Sequence, residues 1–309
     1  MQQTAPFVGS ERSPQRRCPL CAQDRRRPRF RAALPWIVVC DGCGLVFADP
    51  QPSDADLAAI YDEHYYEQFG FASGPAANNS GLSHMKRATY ARMLRAARPA
   101  IRSATHRLLD VGCGVGFSLL AAADMGFEAL GLDPLAPADP GYYQDRRVVR
   151  GTLETFRDAQ GFDVVSMIDV IEHVRDPIAT MARAASFLAP GGVLLLATND
   201  SSSPGARLLG PRWTHFHRAH LWFFTPDTLG RAAARAGLEV IGSQPARRVY
   251  NLEYLASVIA RGENFALAAW IARALLRITP APLARLALPP VPEGFVLVAR
   301  APGSAAETA

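Results

Sequence analysis

Apolar positions in the second half of the chain fall into short dense runs separated by stretches with helical spacing. Leu108–Val111, Phe127–Leu132, Arg147–Arg150, Phe162–Ile168, Val193–Thr198 and Leu238–Ile241 read as strands. Phe162–Ile168 is nearly continuous in apolar character, as expected of a strand covered on both faces in a parallel sheet. Between the runs, Phe117–Met125, Pro177–Leu188 and a segment from Pro226 to near Gly237 read as helices, the last with Thr225 before a proline at its first turn. A further run, Gly294–Arg300, is expected antiparallel at the end of the sheet. The alternation predicts an α/β, doubly wound Rossmann-like sheet of seven strands, mostly parallel with an antiparallel last strand.

Upstream, Trp36–Val39 and Gly44–Pro50 read as short strands, Asp54–Tyr61 as a helix capped by Ser53, and Leu82–Ala97 as an amphipathic helix. Phe69–Gly81 is rich in Gly, Ala, Ser and Asn and reads as a mobile loop suited to a lid. Tyr250–Pro292 is an insertion before the last strand. Its segment Asn264–Ile278, with Arg273 and Arg277, reads as an amphipathic helix that caps a pocket or forms a dimer contact, in preference to meeting an anionic membrane surface. The division is a flexible tail (1–15), a small front module (16–52), a helical lead-in and lid (53–105), the main domain (106–301, insertion 250–292) and a tail (302–309).

The front module is defined by Cys18-Pro-Leu-Cys21 and Cys40-Asp-Gly-Cys43-Gly, with 18 residues between the pairs. Two C-x-x-C turns at this spacing fit a structural zinc ribbon, each turn offering two thiolates and Gly44 allowing the tight second knuckle. A redox C-x-x-C is the weaker reading, since there are two pairs and no thioredoxin-like unit around them.

Composition adds constraints. Hydrophobic residues make up 49% and charged residues 20%, enough to bury a core and against general disorder. The net charge of +5 is carried almost wholly by arginine, Lys86 being the single lysine, so the charge alone is weak evidence for nucleic acid. Eight arginines lie between Arg12 and Arg31. They form either a nucleic-acid patch or a solvated face, and with only Phe30 and Trp36 nearby for stacking the solvated face is preferred. The N-terminus lacks the apolar centre of a signal peptide, and no apolar window is long enough to span a bilayer. With no cysteine left for a disulfide, a cytoplasmic location is expected.

The chain is organised around His106–Pro134, HRLLDVGCGVGFSLLAAADMGFEALGLDP. Gly112, Gly114 and Gly116 follow the first strand and let the backbone turn sharply with no Cβ in a ligand's way. The following helix presents free N–H groups. Asp133, at the tip of the next strand, is placed to accept hydrogen bonds from ribose hydroxyls. The pattern D-V-G-C-G-V-G is not G-x-G-x-x-G, and Asp110 would repel a pyrophosphate; it suits the cationic amino or sulfonium end of S-adenosylmethionine.

L-L-D-V-G-C-G-V-G resembles the first motif of class I S-adenosylmethionine-dependent methyltransferases, and G-L-D-P the second. The resemblance implies that Asp110, Gly112, Cys113, Gly114, Gly116, Asp133 and Pro134 surround the cofactor. It implies that the turn after the third strand, here Gly151–Thr155 with Leu153, packs on adenine. The acidic residue usual in that turn is absent, which leaves adenine to backbone N–H groups or Thr152. The front layout resembles zinc-ribbon methyltransferases of bacterial glycan and secondary-metabolite pathways, in which a Tyr-rich helix folds over the cofactor. Tyr65 or Tyr66 then either lines the site or packs in the core.

Asp169-Val-Ile-Glu172-His173 ends the fourth main-domain strand and resembles the D/E-x-x-E-H stretch of small-molecule O-methyltransferases, including those of ubiquinone biosynthesis. There the acids and His lie beside the methyl acceptor, and a divalent ion is sometimes implicated. Asp169 is assigned to the cofactor side, Glu172 and His173 to catalysis. A neutral His can take the proton of a hydroxyl acceptor; the bland reading is a helix cap. Arg212-Trp, followed by His220-Leu-Trp-Phe-Phe-Thr, resembles the acceptor-side loop and adds His220. His215, His217 and His220 form a loose H-x-H-x-x-H with no acid close in sequence, a poor metal site. Trp213 and Trp222 either stack on a ring or pack on helices.

The sequence therefore predicts a methyltransferase acting on a small-molecule or glycan acceptor, most simply a hydroxyl, with S-adenosylmethionine as cofactor and structural Zn2+, and a homodimer as one possible state. One rival is a zinc-ribbon RNA methyltransferase, against which D-V-I-E-H stands in place of the N/D-P-P-Y type. The other is a non-catalytic cofactor-binding scaffold.

Overall fold

The computed structural model describes residues 17–30, 34, 36–61, 81–136, 143, 147–261 and 266–302. Tyr65 and Tyr66, all but the last residue of the expected lid and, Pro302 apart, the expected tails lie outside them.

The main sheet is built from β4 (Arg107–Val111), β5 (Glu128–Asp133), β6 (Arg147–Arg150), β7 (Phe162–Ile168), β8 (Leu188–Thr198), β10 (Glu239–Arg248) and β11 (Val291–Arg300), in the order β10-β11-β8-β7-β4-β5-β6. β6 to β8 run parallel through β5, β4 and β7; β11 is antiparallel to β8 and to β10. The last strand is antiparallel as expected, but it is inserted between β8 and β10 and does not end the sheet.

Alternation along each central strand explains the two-layer cover. Leu109, Val165, Met167, Leu194, Leu196 and Leu297 face one layer with Met181 of α4 (Pro177–Ala185) and Leu229 of α6 (Pro226–Arg235). Leu108, Val164, Val193, Leu195 and Val296 face the other, with Met93 and Leu94 of α2 (Gly81–Ala97) and Ala121 of α3 (Phe117–Asp124).

Two strands differ from expectation. β8 starts at Leu188, because Ala189–Gly192 enters the sheet through an irregularity opposite Phe162–Val164. A Cβ at Gly192 would lie 2.6 Å from the Phe162 carbonyl oxygen, so only glycine passes there. β10 is ten residues long, though its apolar run is four. It is an edge strand held by β11 alone, where polar residues, Gly242 and Pro245 are tolerated.

The front module carries β1 (Arg26–Pro28), β2 (Ile37–Cys40) and β3 (Val46–Ala48), then α1 (Asp54–Ile60) with a capping box at Ser53 and Asp56. Its sheet takes a fourth strand, β9 (Trp222–Phe223), from far along the chain: Val46 pairs with Phe223 and Phe47 with Trp222. Cys18, Leu20, Leu45 and Phe47 belong to the same buried cluster as Leu109, Leu194 and Leu229. The front module and the main domain therefore share one core.

The insertion folds as α7 (Leu252–Arg261), α8 (Ala266–Ile278) and α9 (Ala281–Ala284), after α5 (Pro204–Leu209) has followed the end of β8. No helix among the described residues is long and apolar enough to cross a membrane.

Candidate active site

The chain runs β4, β5, β6 toward one edge, then returns to β7 on the other side of β4, so the topological switch lies between β4 and β7. In open α/β sheets the ligand crevice lies at the carboxyl ends of the strands at such a switch. The turn 112–116 and the segment 169–173 meet there.

Gly112, Gly114 and Gly116 have φ of +70°, +55° and +80°. A Cβ at Gly112 would sit 2.5 Å from a methyl carbon of Val170, so the two loops are in direct contact only because this residue is glycine. Asp133 ties the turn to β5: one carboxylate oxygen accepts from the Gly114 N–H (2.9 Å), the other from the Leu135 N–H (2.8 Å). Tyr143 donates from its hydroxyl to the Gly114 carbonyl (3.0 Å). Cys113 is buried beside the turn, and Pro134 is exposed next to Asp133.

Asp110 departs from its expected part. Its carboxylate is turned inward and accepts hydrogen bonds from Ser118 of α3 and Ser166 of β7 (2.5 Å), which makes it a strut under the turn. Burial, reinforced by the charge of Asp133, pushes its pKa up to about 6 despite the two hydroxyls. Leu153 is buried in the main cluster, and its carbonyl accepts from Arg183 (3.1 Å). The Thr152 N–H is taken by the Thr155 hydroxyl (3.1 Å).

At the end of β7 the backbone of Asp169 is left-handed (φ +56°), and Arg248, the last residue of β10, grips its carboxylate with two bonds of 2.9 and 2.6 Å. Burial alone would raise this carboxyl; the guanidinium outweighs it and keeps the group ionised. Asp169 is thus held in place by Arg248 at the end of β7.

Glu172 is buried, and the polar groups nearest its carboxyl are its own backbone and the Thr198 side chain, neither in well-aligned hydrogen-bond geometry. Burial, with the neighbouring Asp169 charge, pushes its pKa up to about 8. Its carbonyl accepts from the N–H groups of Leu221 (2.8 Å) and Trp222 (3.2 Å), which draws His220 to the site. His173 and His220 pack edge to face with ring centres 4.6 Å apart. One oxygen of Glu172 and one nitrogen of each imidazole lie within 4.8 Å of one another. Burial holds His173 at about 4 and His220 well below the usual range, so both are neutral near pH 7.

The tautomer of His173 follows from its partners. Nδ1 lies 2.9 Å from the Ala219 carbonyl oxygen and 2.6 Å from the Tyr61 hydroxyl. A carbonyl only accepts, so Nδ1 carries the proton, and the phenolic oxygen accepts as a second branch. Nε2 is left with its lone pair, the form of a general base or a metal ligand.

The histidine-rich loop is otherwise structural. His215 contacts Glu293 (3.0 Å), an acid supplied by β11 that proximity in sequence does not reveal. His217 packs on His220 with ring centres 3.8 Å apart and planes tilted by 46°, and burial, then its histidine neighbours, press it down to about 3. Trp213 and Trp222 are core residues. Trp222 donates to the Val174 carbonyl (2.7 Å) and packs on Phe47, so neither indole presents a face for stacking on a ligand. Sequence reasoning missed Tyr61, Tyr143 and Arg248. Tyr61 stood in the Tyr-rich stretch that suggested Tyr65 and Tyr66; Arg248 gave no local signal.

The four front cysteines converge, with Cys18 and Cys43 sulfurs 3.4 Å apart, Cys21 and Cys40 also 3.4 Å, and all four within 4.8 Å. A disulfide needs about 2.05 Å, whereas thiolates around one zinc at about 2.3 Å stand just under 4 Å apart. The knuckles repeat one hydrogen-bond pattern, Ala22 N–H to Cys18 O (2.8 Å) and Gly44 N–H to Cys40 O (2.9 Å), with Ala22 and Gly44 both at positive φ. The donor set fits structural zinc.

A seven-stranded sheet with this strand order, a triple-glycine turn at the switch and an acid closing β5 defines the Rossmann-like fold of class I S-adenosylmethionine-dependent methyltransferases. A family model described as "Methyltransferase domain" matches residues 81–243, more than half of the 309-residue chain, and the chain belongs to that family. It is 32% identical over 151 residues to a ubiquinone biosynthesis O-methyltransferase of Rhodopseudomonas palustris, covering 43% of this chain and 58% of that protein. A relative of the same name from Thiobacillus denitrificans is 31% identical over 171 residues, covering 48% and 72%. The chain thus spans about three fifths of the first of these relatives. Among solved structures, the [4+2]-cyclase SpnF superposes with a TM-score of 0.50 at 17% identity, over 82% of this chain and 97% of that one. That likeness concerns the fold, and the fold alone does not name the reaction.

Proposed function

We propose that the protein transfers a methyl group from S-adenosylmethionine to a hydroxyl of a small-molecule or glycan acceptor. The observation that carries the reading is the meeting of Glu172, His173 and His220 next to the glycine turn, at the switch between β4 and β7. The relatives named ubiquinone biosynthesis O-methyltransferase support a hydroxyl acceptor.

In this reading Gly112, Gly114 and Gly116 admit the methionine portion of the cofactor, and Asp133 accepts from its ribose hydroxyls. Pro134 and Leu153 bound the nucleoside. Methyl transfer from a sulfonium is an in-line displacement, so the protein's main task is alignment. Acceptor oxygen bonds to the methyl carbon, the carbon–sulfur bond breaks, the electron pair stays on sulfur, and the hydroxyl proton goes to Nε2 of His173. Glu172, protonated near pH 7, hydrogen-bonds the acceptor, with His220 beside it. The products are the methyl ether and S-adenosylhomocysteine.

A second chemistry is favoured by the cluster itself, since donor atoms of Glu172, His173 and His220 lie close enough together to share a divalent cation. Glu172, His173 and His220 would hold it, and when bound it would acidify the acceptor hydroxyl. Dependence of turnover on added Mg2+ or Mn2+, abolished by a chelator too weak to strip the cysteine site, separates the two.

The test is calorimetric titration of S-adenosylmethionine followed by S-adenosylhomocysteine release with catechols, phenols and sugar acceptors. Saturable binding with hydroxyl-dependent release is expected. Well-folded protein that does not bind the cofactor overturns the reading; binding without turnover on any acceptor favours the scaffold alternative.

A further inference from the structure

Twelve large apolar side chains are exposed among the described residues, and eight of them lie between Trp270 and Val291. On α8 they are Trp270, Ile271, Leu275 and Ile278, which at about 100° per residue occupy one side of the helix. Trp270 is 67% exposed and Ile278 78%. Leu283 and Leu286, in and just after α9, extend the patch at 57% and 60%. An ordinary surface helix turns its apolar stripe inward; this one turns a wide part of it outward, and contiguous exposed apolar surface of this kind marks a binding face.

Charge identifies the occupant. From Ala266 to Val291 the sequence holds Arg273, Arg277 and Arg285 and no Asp or Glu at all. Arg277 is exposed at the end of α8, and Arg285 pairs at 3.0 Å with Glu253 of α7. An apolar face with a tryptophan on it, in a stretch whose charged residues are all arginines and with Glu253 of α7 as the acid paired at its edge, has the make-up of a helix lying in the headgroup layer of an anionic bilayer. A second copy is the poorer match: two patches brought together by a two-fold axis would gather six arginines from residues 266–291 with no acid from that stretch to offset them.

We propose that the α8–α9 face docks the protein, reversibly and without spanning, onto membranes that carry anionic lipid. The proposal uses none of the residues assigned to methyl transfer and does not depend on that reading.

The test uses the full chain and vesicles of phosphatidylcholine alone or mixed with phosphatidylglycerol. Co-sedimentation is expected with the anionic vesicles only, weakening as salt rises. Trp36, Trp213 and Trp222 are covered to different degrees, so the emission of Trp270 dominates any blue shift. Arg277→Ala should weaken binding about fivefold, the worth of one arginine near such a surface, and Ile278→Glu by about tenfold or more. Both variants should keep the wild-type circular dichroism and melting temperature, since both positions face solvent. Absence of binding to anionic vesicles overturns the proposal. So does a dimer in solution that Ile278→Glu converts to monomer, which would assign the face to a second copy.

Discussion

The hydroxyl of Tyr61 lies 2.6 Å from Nδ1 of His173, 112 residues further along the chain. Tyr61 is the residue that closes α1, and His173 follows the strand at the centre of the switch. With the Ala219 carbonyl, the phenol fixes both the tautomer and the plane of the imidazole, so the front of the chain reaches the cluster of Glu172, His173 and His220.

Tyr61 is therefore a positioning residue. Tyr61→Phe should lower kcat about tenfold, the usual scale for loss of an orienting partner, and leave the cofactor Kd unchanged. His173→Ala should cost about a hundredfold or more, again at constant cofactor affinity. Equal kcat in Tyr61→Phe and wild type would remove the phenol from the argument. Steady-state kinetics beside calorimetry read both quantities.

Gly112 is constrained twice, by φ of +70° and by Val170. Gly112→Ala should lower stability by about 2 kcal/mol or more, from left-handed backbone strain and overpacking together, and abolish measurable cofactor binding. Adding Val170→Ala relieves the contact but not the backbone, so the double variant should recover only part of the melting temperature.

The cysteine cluster reaches the acceptor side through a short mechanical path. Its knuckles hold β2 and β3, β3 pairs with β9, and β9 begins two residues after His220. Removing zinc with a strong chelator, or by Cys40→Ser, should raise hydrogen exchange at Leu221–Phe223 and change the environment of the buried Trp222. Turnover should fall at least about tenfold while cofactor affinity, which rests on β4 and β5, is kept. A zinc-free protein with unchanged exchange in that segment would show the path to be uncoupled.

Asp110 gives a pH dependence of stability whose sign is the reverse of the common carboxylate case. Its folded pKa is about 6, against about 3.9 unfolded. Between those values the folded state binds more protons, so the stability present below pH 4 is lost as pH rises through 6. The loss is on the order of 3 kcal/mol at neutral pH. Asp110→Asn keeps bonds to Ser118 and Ser166 without the buried charge. Its melting temperature should exceed that of the wild type above pH 7, with the difference vanishing near pH 4.

The extent of legibility follows from where each interaction lives. Strand runs such as Phe162–Ile168, the three glycines, Asp133 as the closing acid and the two cysteine pairs were all readable, because each is set by neighbours a few residues away. Periodicity, turn sterics and ligand spacing are local properties that a linear sequence displays. Asp110 was legible as an acid at a strand end, but its inward orientation depends on Ser166 of the neighbouring strand. The length of β10 was hidden because an edge strand needs no continuous apolar run. Tertiary structure alone brought Arg248 to Asp169, Glu293 to His215, β9 to β3 and Tyr61 to His173. Each of these joins residues between 78 and 177 positions apart. Such pairings are decided by how the sheet orders its strands and what the shared core must cover. The glycine turn was written in the sequence, while the surroundings of Glu172, His173 and His220 were assembled by packing.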